Sequence, residues 1–313
     1  MLGEAIMLAP RNAADVASET VAAIAMLMRG ASMEATRPTA DDVAALKAAA
    51  PAGTHVYLSA VPTRPQEDVV AQAALVRAAG LEPVPHLAVR NFASADALGR
   101  FVDRLTGEAG VRRLLVIAGD RDEPAGPFHG ALEAIDSGLI SRRGIVEIGI
   151  SGYPDGHPRI AQHDLDRLLA AKLEAAQQTG LGVQIVTQFC LDATPLIAWL
   201  RRLRDHGIDH PVRVGLAGPT SLSTLMRYAR RCGVRASTQG LARNAGLLKN
   251  LLSASAPDGI VRALIEANRD GELGDIAPHL FSFGGIGATA RWAAATAAAK
   301  ITLDREGFAV SEK

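Results

Sequence analysis

Short apolar runs recur along the chain, each separated from the next by a longer stretch with helical spacing. The plainest is Arg112-Arg113-Leu114-Leu115-Val116-Ile117-Ala118-Gly119-Asp120, which stops abruptly at a glycine and a carboxylate. An apolar run without alternation marks a strand covered on both faces, as in a parallel sheet wrapped by helices. Comparable runs occupy residues 55–60, 82–89, 145–150, 182–189, 211–216 and 279–283, and a shorter one within 30–38 carries Glu34 in its middle. Pro83 and Pro85 lie in the third run and predict irregularity there.

Between the runs the spacing is helical. Val16, Ala23 and Leu27, seven and then four apart, predict one face of an N-terminal helix. Thr39 followed by Asp41 and Asp42 reads as a helix start. Further helices are expected over residues 65–79, 94–106 and 129–139, and Leu165, Leu168, Leu169 and Leu173 share a face over 165–176. Eight strands alternating with helices predict an α/β fold, a (β/α)₈ TIM barrel. It carries the N-terminal helix and an extra helical insert, at about residues 241–268, before the last strand. No linker or repeat divides the chain, so residues 1–313 are expected to form a single domain. The runner-up is a doubly wound open sheet, but no GxGxxG or GxxxxGK[ST] follows a strand in the first half.

Composition narrows the partners. Lys plus Arg equals Asp plus Glu, 33 each, which gives no electrostatic reason for nucleic acid or an anionic membrane. No run approaches transmembrane length, and the apolar stretch 21–28 follows Arg11, Asp15 and Glu19 rather than the basic start of a secretory signal. The two cysteines, Cys190 and Cys232, have no metal or CxxC spacing, so a reduced, cytoplasmic setting is expected.

In a barrel of this kind function gathers at the C-terminal ends of the strands. Polar residues there are Glu34, Ser59, His86, Asp120, Tyr153, His157 and Gln188, and Gly119 lets a ligand approach the backbone beside Asp120. Glu34 among small and apolar neighbours is costly to bury, and burial raises a carboxylate's pKa, which suits a general acid near neutral pH. Each residue alone has a plainer reading. Asp120 would be a turn residue, His86 a core histidine, His157 a loop residue, Gln188 a strand hydrogen-bonder and Lys172 a solvated helix lysine. No metal signature or Ser/His/Asp pattern is present.

Taken together these residues resemble the methylenetetrahydrofolate reductase family of flavin-dependent barrels. Ser32-Met33-Glu34 resembles its Ser-Phe-Glu, and Pro85-His86-Leu87 its Pro-His-Leu. Gly119-Asp120 matches the end of Arg-Gly-Asp, and residues 153–158 match Tyr-Pro-x-x-His-Pro. Thr187-Gln188 with Asp192 matches Thr-Gln-x-x-x-Asp. The resemblance implies an oxidoreductase interconverting 5,10-methylenetetrahydrofolate and 5-methyltetrahydrofolate through FAD, with NADH or NADPH as electron donor and a homo-oligomeric assembly. It implies that Glu34 protonates a folate nitrogen and that Asp120 lies between flavin and folate. Gln188 and Thr224 would contact the folate, Thr224 standing where the family usually has glutamine. Tyr228 would take the place of a phenylalanine that packs on nicotinamide or folate. Ser59, His86, Gly119, Asp120, Tyr153, His157 and Lys172 would hold FAD, with Lys172 near its phosphates. Ala118 stands where the family has arginine, Ala35-Thr36 where it has paired phenylalanines, and no Asn-Arg pair follows the last strand. The alternatives are a folate-binding barrel that has lost redox catalysis and, more remotely, a Schiff-base lyase, which would want a strand-end lysine.

Overall fold

All eight runs pair edge to edge, in parallel and in a ring. The computed structural model describes residues 12–61, 65–234 and 254–311. Its barrel strands are β1 (Ser32–Ala35), β2 (His55–Leu58), β3 (Glu82–Ala88), β4 (Arg113–Ile117), β5 (Glu147–Gly152), β6 (Gly182–Thr187), β7 (Val212–Ala217) and β8 (Ile276–Phe281). Each pairs with its sequence neighbours, and β1 pairs with β8, which closes the barrel. Helix α1 (Ala13–Arg29) precedes β1. Helices α2 (Ala40–Ala49), α3 (Gln66–Ala78), α4 (Ala95–Ala109), α5 (Ala131–Asp136), α6 (Gln162–Gln178) and α7 (Ala193–Asp205) follow β1 to β6 in turn. Between β7 and β8 lie α8 (Leu222–Cys232) and α9 (Asp258–Ala267), and α10 (Ile286–Ala297) follows β8.

Local chemistry sets the helix starts. Thr39 and Asp42 form a capping box on α2, each side chain bonding the other's backbone N–H. Helix α4 is capped by Ser94, buries Leu98, Phe101, Val102 and Leu105, and stops at Gly110, whose φ of 59° only glycine adopts freely.

Several expectations need correction. The buried face of α1 is Thr20, Ile24 and Met28, one residue round from Val16, Ala23 and Leu27, which lie at its margin. The last strand starts at Ile276, before His279, because Ile276 already pairs with Val212. The fifth runs two residues later than predicted, at Glu147–Gly152. The helix expected over 129–139 is cut to Ala131–Asp136, and Gly138 beyond it has a φ of 65°. Strand β3 is regular despite its prolines. It pairs with β4 only from His86 onward, so the missing N–H groups of Pro83 and Pro85 fall where only β2 lies alongside. Of the predicted insert, residues 241–253 lie outside the described residues. Within the rest, α9 is helical and Ala254–Ser255 pairs antiparallel with Thr220–Ser221.

Two of the three apolar clusters build the barrel, and the third, around Phe189, Ala217, Leu225 and Ala229, lies at its mouth under α8. The larger lies between strands and helices and includes Leu114 and Val116 of β4. The smaller fills the barrel itself with Tyr57, Val84, Leu115 and Val186. Gly149 makes room for them, since a Cβ there would meet Leu115 at 2.9 Å. Burying each such aliphatic side chain stabilises the fold by about 1.5–3 kcal/mol.

Below that layer, at the strand starts, the barrel is closed by charge. Arg77 grips Glu82 through two bonds of 2.6 and 2.8 Å. Arg113 reaches Glu82 at 3.3 Å and Glu147 at 3.2 Å. Gln184 donates to Glu147 at 3.1 Å and to the Tyr57 hydroxyl at 2.9 Å, and accepts from Arg213 at 2.7 Å. His55 lies beside them. Burial, then Arg213 and Arg113, pull its pKa down to about 4.

Candidate active site

At the opposite end Glu34 stands near the end of β1 with its carboxylate turned inward, 14% exposed. Oε1 accepts the Ser59 hydroxyl at 2.7 Å, and Ser59 in turn lies 3.0 Å from the Thr36 hydroxyl. Oε2 lies 3.4 Å from Nε2 of His279 and 3.6 Å from Nε2 of His86. His279 is fully buried, and its Nδ1 lies 3.0 Å from Ser32 Oγ. The tautomer with its proton on Nε2 serves both bonds, with Ser32 donating to Nδ1.

Strand register explains the gathering. Ser32 pairs with His279, Glu34 with Tyr57, and Glu34 also with Phe281 across the closing seam. Burial alone would raise the Glu34 pKa, as expected from the sequence. The His86 charge, the bond from His279 and the Ser59 hydroxyl outweigh it and bring it down to about 2. Glu34 therefore rests as a carboxylate, which corrects the expectation of a raised pKa. His86 is itself lowered, by burial first and His279 next in that direction, with Glu34 and Asp120 opposing.

Five of the other expected residues line two hollows. Ser59 and His86 line a hollow of about 460 Å³, open to solvent, with Ala88, Phe92 and α3. Tyr153, His157 and Gln188 line a second of about 270 Å³, together with both cysteines. The Tyr153 and His157 rings meet edge to face at 5.1 Å. Gln188 accepts the Phe189 N–H on its Oε1 at 3.0 Å. Asp120 is exposed beyond the end of β4, close enough to raise the pKa of His86 and Tyr153 electrostatically. Gly119 has a φ of 92°, and a Cβ there would strike Ala88 at 2.9 Å, so the turn that presents Asp120 requires glycine.

Lys172 on α6 is half-buried rather than fully solvated. Burial pulls its pKa down to about 8, and no carboxylate pairs with it among the described residues. A desolvated ammonium without a counter-ion fits an anionic group such as a dinucleotide's phosphates, and the Tyr153–His157 wall fits a flat ring. The residues present thus suit FAD. On α8, Tyr228 stacks on Phe283 at 4.1 Å, and Phe189 and Phe281 extend this aromatic wall to His279. Thr224 lies one turn earlier, its N–H capped by Ser221.

Sequence reasoning missed His279, the imidazole nearest Glu34, at 3.4 Å. The available signal was a histidine inside an otherwise apolar strand.

A comparison with known families decides the affiliation. The methylenetetrahydrofolate reductase model matches residues 32–245, from the first residue of β1 to beyond α8. The chain belongs to that family. Among curated proteins it is similar to methylenetetrahydrofolate reductase 2 of Saccharomyces cerevisiae, 28% identical over 175 residues. That match covers 52% of this chain and 27% of the yeast protein, so the chain spans about a quarter of its relative. Among solved structures it is similar to a Clostridium thermocellum protein described as binding two copies of 5-methyl-5,6,7,8-tetrahydrofolic acid. That likeness has a TM-score of 0.57 at 10% identity, covers 85% of this chain and 93% of the other, and speaks for the fold. The residues that carry the family's motifs, from Ser32 to Asp192, lie within the matched span, and His279, on the closing strand, lies outside it. No described helix is long and apolar enough to cross a membrane.

Proposed function

We propose that this protein interconverts 5,10-methylenetetrahydrofolate and 5-methyltetrahydrofolate with FAD, in a reduced cytoplasmic setting and as a homo-oligomer, with NADH or NADPH as electron donor. The observation that carries the reading is Glu34, a buried carboxylate at the barrel mouth held by Ser59, His86 and His279. When bound, FAD supplies the hydride exchange with the one-carbon unit.

The chain's own groups handle the proton and the charge. In the reducing direction Glu34 gives a proton to the folate nitrogen that leaves the five-membered ring. In the oxidising direction the carboxylate takes that proton back as the ring closes. Its resting ionised state serves the second direction directly and the first only after proton uptake. Asp120 faces the cation that ring opening creates, where a fixed anion lowers the barrier. Gln188 orients the pterin, the aromatic wall of Tyr228 and Phe283 excludes water, and Lys172 receives the phosphates. The name of the yeast relative, a methylenetetrahydrofolate reductase, supports the same substrate.

A second reading, a folate-binding barrel without redox turnover, draws on Ala118 and Thr224 in place of the family's arginine and glutamine. The absorption spectrum of the purified protein, then folate half-reaction rates for wild type and Glu34→Gln, separate the two. The variant is expected to fold and hold flavin normally while losing roughly 10²–10⁴-fold in folate turnover. A protein that takes up no flavin and turns over no folate would sink the first reading.

A further inference from the structure

Asp120 sits in a loop over residues 118–130, between the end of β4 and the start of α5, that has no helix or strand of its own. Such a loop keeps one shape only when groups outside it hold it, because its own chain entropy opposes order. Gly119 permits the turn into the loop, but a glycine frees the backbone rather than fixing it. The ion pair of Asp122 with Arg159, at 2.7 Å, is exposed on both sides and holds little.

Arg90, in the single 3-10 turn Val89–Asn91 after β3, grips the loop on both sides of Asp120. Its backbone N–H donates to the Ala118 carbonyl at 3.0 Å, and its own carbonyl accepts the Ala125 N–H at 2.8 Å. The guanidinium adds two more bonds. Nη1 donates to the Arg121 carbonyl at 3.0 Å and Nε to the His129 carbonyl at 2.7 Å. Gly126 lies against the chain just after Arg90, where a Cβ would strike the backbone of Phe92 and Ala93 at 2.5 Å. No carboxylate pairs with Arg90 among the described residues, so its charge is shared between these two carbonyl oxygens. Hydrogen bonds from a charged donor are stronger than those between neutral groups. Ala118 stands where the family has arginine, and Arg90 brings a guanidinium to the same loop from the neighbouring strand.

We propose that Arg90 is the positioning residue of Asp120. It acts through the loop, not on the substrate, and the role rests on Asp120 stabilising the cation of the folate step. With the backbone tied at 118, 121, 125 and 129, the Asp120 carboxylate keeps one place at the end of β4. A fixed anion lowers a barrier because it needs no reorganisation at the moment of reaction. A loop free to swing would keep the charge and lose much of that effect.

Arg90→Met keeps the aliphatic stem and removes both guanidinium bonds. Hydrogen exchange at the Ala125 N–H, read by NMR with neither flavin nor folate added, should quicken roughly tenfold. Equal exchange would overturn the proposal whatever the protein turns over. The folate half-reaction of Arg90→Met should slow roughly tenfold. A double variant then separates positioning from general damage. Arg90→Met with Asp120→Asn should be no slower than Asp120→Asn alone, since a misplaced carboxylate that is already gone has nothing more to lose. Effects that multiply would make Arg90 a structural residue, and an unchanged rate in Arg90→Met would remove it from the reaction. Arg90→Lys keeps the charge without the planar fork and should share the defect. Wild-type behaviour in that variant would show that charge alone acts and overturn the grip. An unchanged folate rate in Asp120→Asn would instead remove the role of Asp120, and with it the catalytic purpose of the clamp, while the exchange result stands for the clamp itself.

Discussion

At the start of the strands Glu82, Arg113, Glu147, Gln184 and Arg213 bond to one another in an unbroken chain. At their ends Glu34 meets two imidazoles at 3.4 and 3.6 Å and Asp120 faces solvent, while Lys172 on α6 has no paired anion among the described residues. The same residue types serve both ends. Where partners saturate each other, the charges fix the shape of the barrel and leave little to titrate. Where partners are too few or too distant, the polar groups stay available to a ligand, and the fold carries the cost. Leaving a buried polar group unsatisfied costs about 1–3 kcal/mol.

The largest test of that contrast is Asp120→Asn at the open end. The folate step is expected to slow by about 2–4 kcal/mol in barrier, because a bound ligand would cover the carboxylate and strengthen its field. Stability and flavin content should hardly change. Half-reaction rates with the flavin potential, which should rise, read this directly. An unchanged folate rate would return Asp120 to a turn residue.

Gln184→Leu at the closed end should do the reverse. It leaves the Tyr57 hydroxyl and the Arg213 Nε without their partner and should lower unfolding free energy by about 3 kcal/mol. Urea melts should record that loss, with kcat per folded molecule unaltered.

His55→Phe probes the closed end by pH. With a folded-state pKa of about 4 against 6.5, His55 takes up its proton more readily in the unfolded chain. Wild type therefore loses stability as pH falls from 6.5 towards 4, and the variant should escape a loss on the order of 2 kcal/mol. Parallel melts at pH 7 and 4.5 give the difference.

The smallest effect is expected from Lys172→Met. Removing a desolvated ammonium should stabilise the empty protein by about 1 kcal/mol at pH 7. Because its pKa is depressed to about 8, that advantage should shrink as pH rises from 8 towards 10.5. Flavin affinity should fall at the same time. A variant that loses stability and keeps its flavin would remove Lys172 from the site.

The barrel was legible because buried parallel strands must be apolar on both faces, as Leu114, Leu115 and Val116 are. Glu34, Asp120 and Gln188 were legible as polar residues where strands end. The ring of Glu82, Arg113 and Glu147 at the strand starts was not, since no spacing along the chain relates the three. Only the closed register places them around Gln184. His279 was hidden by the same fact, because nothing in the local sequence tells which strand will lie beside β1. Tyr228 read as a ligand contact, and its ring rests on Phe283.

The seam between β1 and β8 has a consequence in time. Glu34 and His279 are separated by 245 residues, and Ser32 and His279 by 247. Contacts of such separation carry the greatest chain-closure cost and belong to the late stages of folding. A chain still emerging from the ribosome, with β8 not yet made, holds Glu34 without His279 and with one edge of β1 unpaired. The cluster around Glu34 is thus complete only once the last strand is in place.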